Sequence, residues 1–279
     1  MQWIIKYLTS SIGKKQIMGC TGAALAAFIL GHMSGNMQLL NPNPEAAQAS
    51  YNAYTQLLTG MGPMLVVIEL ALVVLAATHI FLAINLKIEN KKARGGVDYD
   101  VNARKGKKSF ASFTMIWTGI LVAAFLVWHL CMLKYGQHYY YQNAEGEIIR
   151  DMWLTTIQMF SQPVFAIAYV VLMFVVGVHL YHAIASAFQT LGIAHQKWTP
   201  IIELFGMVFS IIVALGFAVE AAVSFYYANQ PATQAIINKC SQEQYQKDLE
   251  QKAADQKNAK TSFVIPSVGQ VQVSLNDEM

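Results

Sequence analysis

Five apolar stretches, each of the length that crosses a bilayer as an α-helix, constrain the fold of this chain more than any other feature. In chain order, spans one to five cover Gln16–Leu39, Pro63–Leu86, Ala111–Lys134, Pro163–Gly192 and Pro200–Tyr226. Crossing the hydrocarbon takes about 17 to 25 mostly apolar residues. The composition agrees, because 55% of the residues are hydrophobic and only 13% are charged, which is too apolar for an ordinary soluble domain. The sequence therefore predicts an all-α membrane protein with five transmembrane helices.

Basic residues predict how the spans are oriented. The loop between spans two and three holds the densest basic run in the chain, which consists of Lys87, Lys91, Lys92, Arg94, Arg104, Lys105, Lys107 and Lys108. Loops rich in Lys and Arg stay on the cytoplasmic side of a membrane. We therefore expect a multi-pass protein of the inner (cytoplasmic) membrane, with its N-terminus inside and its C-terminus outside. The basic residues are dispersed over short loops and form no continuous face, so the sequence does not indicate nucleic-acid binding.

The sequence divides into three regions on this topology. Residues 1–15 are expected to form an interfacial cytoplasmic N-terminus, residues 16–226 a membrane domain, and residues 227–279 a polar C-terminal tail on the outer side. Residues 40–62 and 135–162 are predicted to be polar outer connections. Within the tail, Thr261–Leu275 is expected to hold a short pair of strands.

Four histidines lie inside the spans, where an ionisable side chain indicates a functional site. At a helical rise of ~1.5 Å per residue, His32 in span one and His129 in span three lie ~24 and ~27 Å above the cytoplasmic ends of their spans. His79 in span two and His179 in span four each lie ~24 Å below the outer ends. The sequence therefore predicts one histidine pair in the outer leaflet and one in the inner leaflet. Four unrelated hydrogen-bonding histidines would have to match in depth twice by chance.

The two pairs are spaced as ligands for two b-type haems. In an up-and-down bundle, spans one and three are diagonal to each other, as are spans two and four, and metal sites in bundles use inward-facing side chains of different helices. Adjacent helix axes are ~8 to 10 Å apart, whereas a diagonal leaves more room for an iron between two imidazoles. Two axial histidines leave the iron no open position, which favours electron transfer. No CxxCH motif is present, so each haem would be held by ligation alone.

The other titratable residues of the spans have supporting roles in this interpretation. His182, one turn after His179, is expected to assist the inner site as a hydrogen-bonding or propionate partner. His138 and His195 fall in loops and are expected to be solvated. Glu69, ~9 Å below the outer end of span two, is the leading candidate for proton handling at a quinone site beside the outer pair. Alternatively, Glu69 forms a hydrogen bond that only supports the packing of the bundle.

Several motifs resemble those of a known family. These are Ser11-Ile-Gly-Lys-Lys-Gln-Ile-Met-Gly-Cys-Thr-Gly22, His32-Met-Ser-Gly-Asn36, Tyr51-Asn-Ala-Tyr54, Thr118-Gly119 with Trp128-His129-Leu130, and His179-Leu-Tyr-His182 through Ser186-Ala-Phe-Gln-Thr-Leu-Gly192. Together they resemble the dihaem cytochrome b membrane subunit of succinate:quinone oxidoreductases, which include succinate dehydrogenases and fumarate reductases. The resemblance covers roughly residues 8–226.

The resemblance implies a function and partners. It implies that the chain anchors a flavoprotein subunit and an iron–sulfur subunit on the cytoplasmic face, without a dicarboxylate active site of its own. It implies electron transfer between the iron–sulfur subunit and a membrane quinone, with menaquinone as the expected type. His32 and His129 would hold the outer haem, and His79 and His179 the inner one. The sequence departs from some relatives at Gly177, where they carry a glutamate.

Two alternatives remain at this stage. The dihaem cytochrome b of a membrane formate dehydrogenase or hydrogenase would also place histidine pairs at two depths. A cofactor-free proton-coupled transporter would instead line a proton path with the histidines and Glu69. The basic loop, together with Lys14 and Lys15, is expected to contact the iron–sulfur subunit or anionic lipid headgroups.

Overall fold

The computed structural model describes residues 2–93, 95, 110–193 and 195–264. Its α-helices are α1 (Gln2–Thr9), α2 (Ser11–Asn36), α3 (Pro44–Thr59), α4 (Pro63–Ala93), α5 (Phe110–His129), α6 (Met152–Phe160), α7 (Pro163–Thr190), α8 (Thr199–Ala228), α9 (Pro231–Cys240) and α10 (Glu243–Val264). Five of them, α2, α4, α5, α7 and α8, are long and apolar enough to cross a membrane. The chain is therefore an all-α membrane protein, as its sequence predicts.

The ends of the spans are set by capping residues rather than by the limits of the apolar stretches. Helix α2 begins five residues before the predicted Gln16, because the Ser10 hydroxyl accepts a hydrogen bond from the backbone N–H of Gly13 at 3.1 Å. Helix α4 begins at Pro63 and continues beyond Leu86 to Ala93. Its last turn contains lysines, which favour the negative end of a helix dipole. Polar residues at both ends therefore lengthen these helices beyond the hydrocarbon.

The first four spans make three of the four neighbour contacts of an up-and-down bundle. Helix α2 packs against α4 and α7, and α5 packs against α7. Within the described ranges, α4 and α5 make no comparable contact, and neither do the diagonal pairs α2 with α5 and α4 with α7. The fifth span, α8, makes its largest contact with α7, where the Cβ of Ala214 lies 2.8 Å from the position that a Cβ on Gly177 would take. Small residues at such contacts let helices approach closely in lipid.

The outward faces of the spans are apolar. Helix α4 buries only Leu82 and Leu86, while Leu70, Val73 and Val74 on the same helix are 60 to 62% exposed. A continuous apolar surface of this extent does not persist in water. Contact with lipid hydrocarbon accounts for it.

The connections that were predicted to be outer form a folded cap, which corrects the prediction that residues 40–62 and 135–162 are polar loops. The cap contains α3, α6, α9, α10 and an antiparallel hairpin of β1 (Tyr140–Gln142) and β2 (Ile148–Arg150). Its core is made of Leu39, Ala47, Tyr51, Trp153, Leu154, Ile157, Ala228, Ile237 and Cys240. The apolar residues of α6 are too few to cross a bilayer. They are buried against α3 and α9 instead.

A buried carboxyl joins two parts of the cap. The Asp151 side chain is fully buried and caps α6 by accepting a hydrogen bond from the N–H of Leu154 at 2.9 Å. It also accepts from the side-chain amides of Asn52 at 2.8 Å and Gln48 at 2.6 Å, both on α3. Burial raises the pKa of Asp151, and these hydrogen bonds oppose the rise. The carboxyl thus ties α3 to the start of α6.

The C-terminal tail begins with two helices, α9 and α10, and α10 docks on the hairpin. The Gln246 side chain accepts from the backbone N–H of Tyr140 at 2.7 Å and donates to its carbonyl at 3.2 Å. The Gln256 side chain accepts from the N–H of Ile148 at 3.0 Å and donates to the carbonyl of Gly146 at 2.9 Å. Thr261–Val264, predicted to begin a strand pair, are helical because α10 continues to Val264. The remainder of that predicted pair lies outside the described residues.

The predicted docking surface is described only in part. Lys14 forms an ion pair with Glu89 near the predicted inner ends of α2 and α4. The segment 96–109, which holds Arg104 to Lys108, lies outside the described residues. Arg94 lies outside them as well.

Candidate functional site

The predicted inner site contains His79 on α4 and His179 on α7. The Nδ1 atom of His79 lies 3.1 Å from the carbonyl oxygen of Met18 and 3.4 Å from Oγ1 of Thr21, both on α2. A carbonyl oxygen can only accept, so Nδ1 carries the proton and donates it. The Nε2 atom of His79 therefore keeps its lone pair for a metal.

His179 is held by a hydroxyl in the same way. Its Nδ1 atom lies 3.2 Å from Oγ1 of Thr118 on α5. The Thr118 hydroxyl lies 3.2 Å from the carbonyl oxygen of Thr114 and 3.0 Å from that of Met115, and it donates its one proton to these carbonyls. With that proton used, its oxygen is free to accept from the ring. When Nε2 of His179 binds a metal, Nδ1 carries the proton and donates it to this oxygen.

A glycine faces each inner histidine. A Cβ on Gly22 would lie 3.0 Å from Cε1 of His79, and a Cβ on Gly119 would lie 3.4 Å from Cε1 of His179. The absence of a side chain at these positions lets each imidazole lie against the backbone of the neighbouring helix. Both Thr-Gly dipeptides therefore shape the inner site.

The outer site contains His32 on α2 and His129 on α5. Their ring centroids are 5.8 Å apart and their planes are nearly perpendicular, at 88°. The His32 ring stacks on Phe28 with centroids 5.6 Å apart, and Phe217 of α8 lies 5.9 Å from it. The Nδ1 atom of His129 lies 3.2 Å from the hydroxyl of Tyr169 on α7. Aromatic side chains therefore fix both rings.

The backbone after His129 departs from regular α-helix. Residues Leu130–Lys134 form a π-helical turn, a feature often found at functional sites. The Arg150 guanidinium at the end of β2 donates to the carbonyl oxygens of Leu133 at 2.9 Å and Lys134 at 3.0 Å. The hairpin thereby holds the outer end of the helix that carries His129.

The donor sets fit haem iron. Among the described residues, no group of three or more His, Cys, Asp or Glu side chains is arranged to hold a bare metal ion, but a porphyrin needs only two axial ligands from the protein. Metal–nitrogen bonds of about 2.0 Å place two imidazole centroids on opposite sides of one metal roughly 6 Å apart. The 5.8 Å separation of His32 and His129 is close to that value. At the inner site, the contacts of His79 and His179 are at Nδ1, so Nε2 of each ring can serve as the ligand atom.

Glu69 forms an ion pair with Lys134, with 2.5 Å between Oε1 and Nζ. The Glu69 side chain is 40% exposed and that of Lys134 is 36% exposed. Lys134 is five residues after His129, or ~7 Å along the helix axis. The carboxyl therefore lies beside the π-helical turn that follows α5, beyond His129.

The remaining predicted residues fall outside the two pairs. His182 is half-buried, one turn beyond His179, and its ring centroid lies 5.1 Å from that of Tyr181. His138 and His195 are exposed, as predicted. Gly177 is a packing position against Ala214, so a glutamate could enter there only if α7 and α8 moved apart.

Sequence reasoning missed the partners of the histidines, although one signal was present. Spans one and three share the pattern Thr-Gly-x9-His, which covers Thr21 to His32 and Thr118 to His129. Tyr169 has no comparable signal, because an apolar span tolerates a tyrosine anywhere that its hydroxyl finds a partner.

No protein-family model, curated protein or solved structure matches this chain.

Proposed function

We propose that this chain is the dihaem cytochrome b membrane anchor of a succinate:quinone oxidoreductase. In this role it passes electrons between an iron–sulfur subunit on the cytoplasmic face and a membrane quinone. The observation that carries the proposal is the pairing of His32 with His129, whose ring centroids are 5.8 Å apart, with a hydrogen-bond partner at Nδ1 in three of the four histidine rings. The motif resemblance supplies the family.

In this proposal, one pair of histidines binds a haem at each of the two levels. His32 and His129 hold the outer haem iron, and His79 and His179 hold the inner one. Haem b, when bound, supplies a one-electron carrier at each level. The hydrogen bonds at Nδ1 orient the rings and keep Nε2 unprotonated. His182, one turn further along α7, supports the inner site from its edge.

The proton chemistry of a quinone needs a titratable group within hydrogen-bond reach of a quinone oxygen. Glu69 pairs with Lys134, in the turn that follows His129, and can exchange this ion pair for a hydrogen bond to a quinone. The proposed quinone site, with menaquinone as the expected substrate, is therefore on the His32/His129 side of the membrane.

Visible spectroscopy of the purified protein tests the haem assignment. The reduced-minus-oxidised spectrum should contain the alpha bands of two b haems. His32→Ala or His129→Ala should remove the outer haem and spare the inner one, and His79→Ala or His179→Ala should do the reverse. His138→Ala, in an exposed loop, is the control and should keep both. Loss of haem in any other grouping overturns the pairing, and a wild-type protein without alpha bands supports the transporter alternative.

Purification from native membranes tests the family. A flavoprotein and an iron–sulfur subunit should co-purify with the chain and transfer electrons from succinate to quinone, or from quinol to fumarate. Recovery of a formate dehydrogenase or a hydrogenase in their place overturns this part of the proposal.

Glu69→Gln tests the quinone assignment. Both haems should remain while quinone-linked turnover is lost. Glu89→Gln is a matched control, because Glu89 on the same helix also pairs with a lysine, Lys14, away from the outer site. Normal turnover in Glu69→Gln, or equal loss in both variants, refutes the role of Glu69.

A further inference from the structure

The pattern Thr-Gly-x9-His places one residue of each span at each of the two sites. Thr21 and His32, like Thr118 and His129, are separated by eleven residues, which is about three helical turns or ~16 Å. Both residues therefore lie on nearly the same face of their helix, at the two heights of the histidine pairs. The histidine contributes to the outer site, and the threonine contacts a histidine of the inner site on the neighbouring helix.

When Nε2 of the ring binds a metal, Nδ1 carries the proton, and the hydroxyl of each threonine then acts as its acceptor. Thr21 donates to the carbonyl oxygens of Ile17 at 2.9 Å and Met18 at 3.0 Å, and Thr118 donates to its own helix in the same manner. Such bonds from threonine back to the preceding turn are usual in helices. Since the hydroxyl proton is used, the remaining lone pair is available to the imidazole N–H.

We propose that Thr21 and Thr118 are positioning residues that hold the inner histidines in the Nδ1–H tautomer and lower the reduction potential of the inner haem. This inference rests on the proposed function. An acceptor at Nδ1–H makes the imidazole a stronger electron donor to a metal at Nε2, and hydrogen-bond partners of this kind tune ligand basicity. A more basic ligand stabilises the ferric state relative to the ferrous state.

The two threonines should not contribute equally. His79 has a second acceptor, the carbonyl of Met18 at 3.1 Å, which is closer than the Thr21 oxygen at 3.4 Å. For His179, the Thr118 oxygen is the Nδ1 acceptor that the structure describes, at 3.2 Å. Removing the Thr118 hydroxyl should therefore affect the inner haem more than removing that of Thr21.

Potentiometric titration of the two alpha bands in the purified holoprotein tests the inference. Thr118→Val, which keeps the shape of the side chain, should shift the oxidised-to-reduced ratio of the inner haem about tenfold toward the reduced form at a fixed ambient potential. For a one-electron couple this is about 59 mV upward. Thr21→Val should give a smaller shift in the same direction. The low-spin electron paramagnetic resonance signal of the inner haem should change in Thr118→Val, because its ligand is less basic.

Two further variants complete the design. Thr118→Ser keeps the hydroxyl and should restore the wild-type potential. Tyr169→Phe removes the partner of His129 and should shift the outer haem alone. If Thr118→Val does not assemble, Thr118→Ala and Thr118→Ser provide the same comparison.

The outcomes separate this inference from the proposed function. A wild-type protein without two haems refutes the proposed function. A Thr118→Val protein that binds both haems with an unchanged inner potential, or with a shift confined to the outer haem, refutes the role of the threonine and leaves the proposed function intact.

Discussion

Removing the carboxyl of Asp151 should open the outer cap. Asp151→Ala deletes the N-cap of α6, which costs about 1 kcal/mol. It also leaves the buried amides of Asn52 and Gln48 without their acceptor, at about 1 to 3 kcal/mol each. If the three effects are independent, the cap loses about 3 to 7 kcal/mol. Loss on this scale is a large part of the stability of a typical folded unit.

The rate at which a maleimide labels the Cys240 thiol measures how often the cap opens. Cys240 is 8% exposed and belongs to the cap core, whereas Cys20 and Cys131 are exposed on α2 and in the π-helical turn. In a Cys20→Ala/Cys131→Ala background, labelling by a maleimide requires the cap to open. Burial also raises the pKa of the Cys240 thiol, which keeps it in its less reactive form while the cap is closed. Each 1.36 kcal/mol changes a rate tenfold, so labelling of Asp151→Ala should be at least about 100-fold faster.

Two variants control this experiment. Asp151→Asn retains one acceptor oxygen and should label at an intermediate rate. Glu145→Ala removes an exposed carboxyl in the hairpin turn and should label at the rate of the parent. Labelling of Asp151→Ala at the parental rate would mean that the carboxyl does not hold α3 and α6 together.

Gly22 and Gly119 at the inner site, and Arg150 at the end of β2, give further predictions. Gly22→Ala should displace the His79 ring by a few tenths of an ångström and lower the melting temperature, since the new Cβ would lie 3.0 Å from Cε1. Gly119→Ala, with 3.4 Å of space, should melt near the wild-type temperature. Arg150→Leu removes two donors from the end of α5 and should accelerate amide hydrogen exchange at residues 130–135; unchanged exchange would show that the guanidinium does not hold this turn.

The spans and the proximity of His32 to His129 could be predicted from the sequence because simple geometry governs both. The thickness of the bilayer fixes the length of a span, and the rise of a helix converts a residue number into a depth. This was enough to predict that His32 and His129 lie near each other, and the structure places their rings 5.8 Å apart. Their role as iron ligands stays a prediction.

The cap could not be predicted from the sequence because its contacts join residues that are far apart in the chain. Asp151 meets Asn52, which lies 99 residues earlier, and no local pattern identifies such a partner. Helix α6 is only nine residues long, too short for a clear hydrophobic period. Trp153 and Leu154 are buried by helices that precede and follow them in sequence, so their burial depends on the assembled cap.

The docking of α10 on the hairpin has a consequence for how these segments can vary between related proteins. The hydrogen bonds that Gln246 and Gln256 make to the hairpin all go to main-chain N–H and carbonyl groups, and these groups are the same in every sequence except at proline. Hairpin side chains without another contact, such as the exposed Glu145, can therefore change while the glutamines keep these hydrogen bonds. Insertion or deletion of a single residue between Tyr140 and Ile148 would change the spacing of those groups and end the match. Length, and not residue identity, is what this contact constrains.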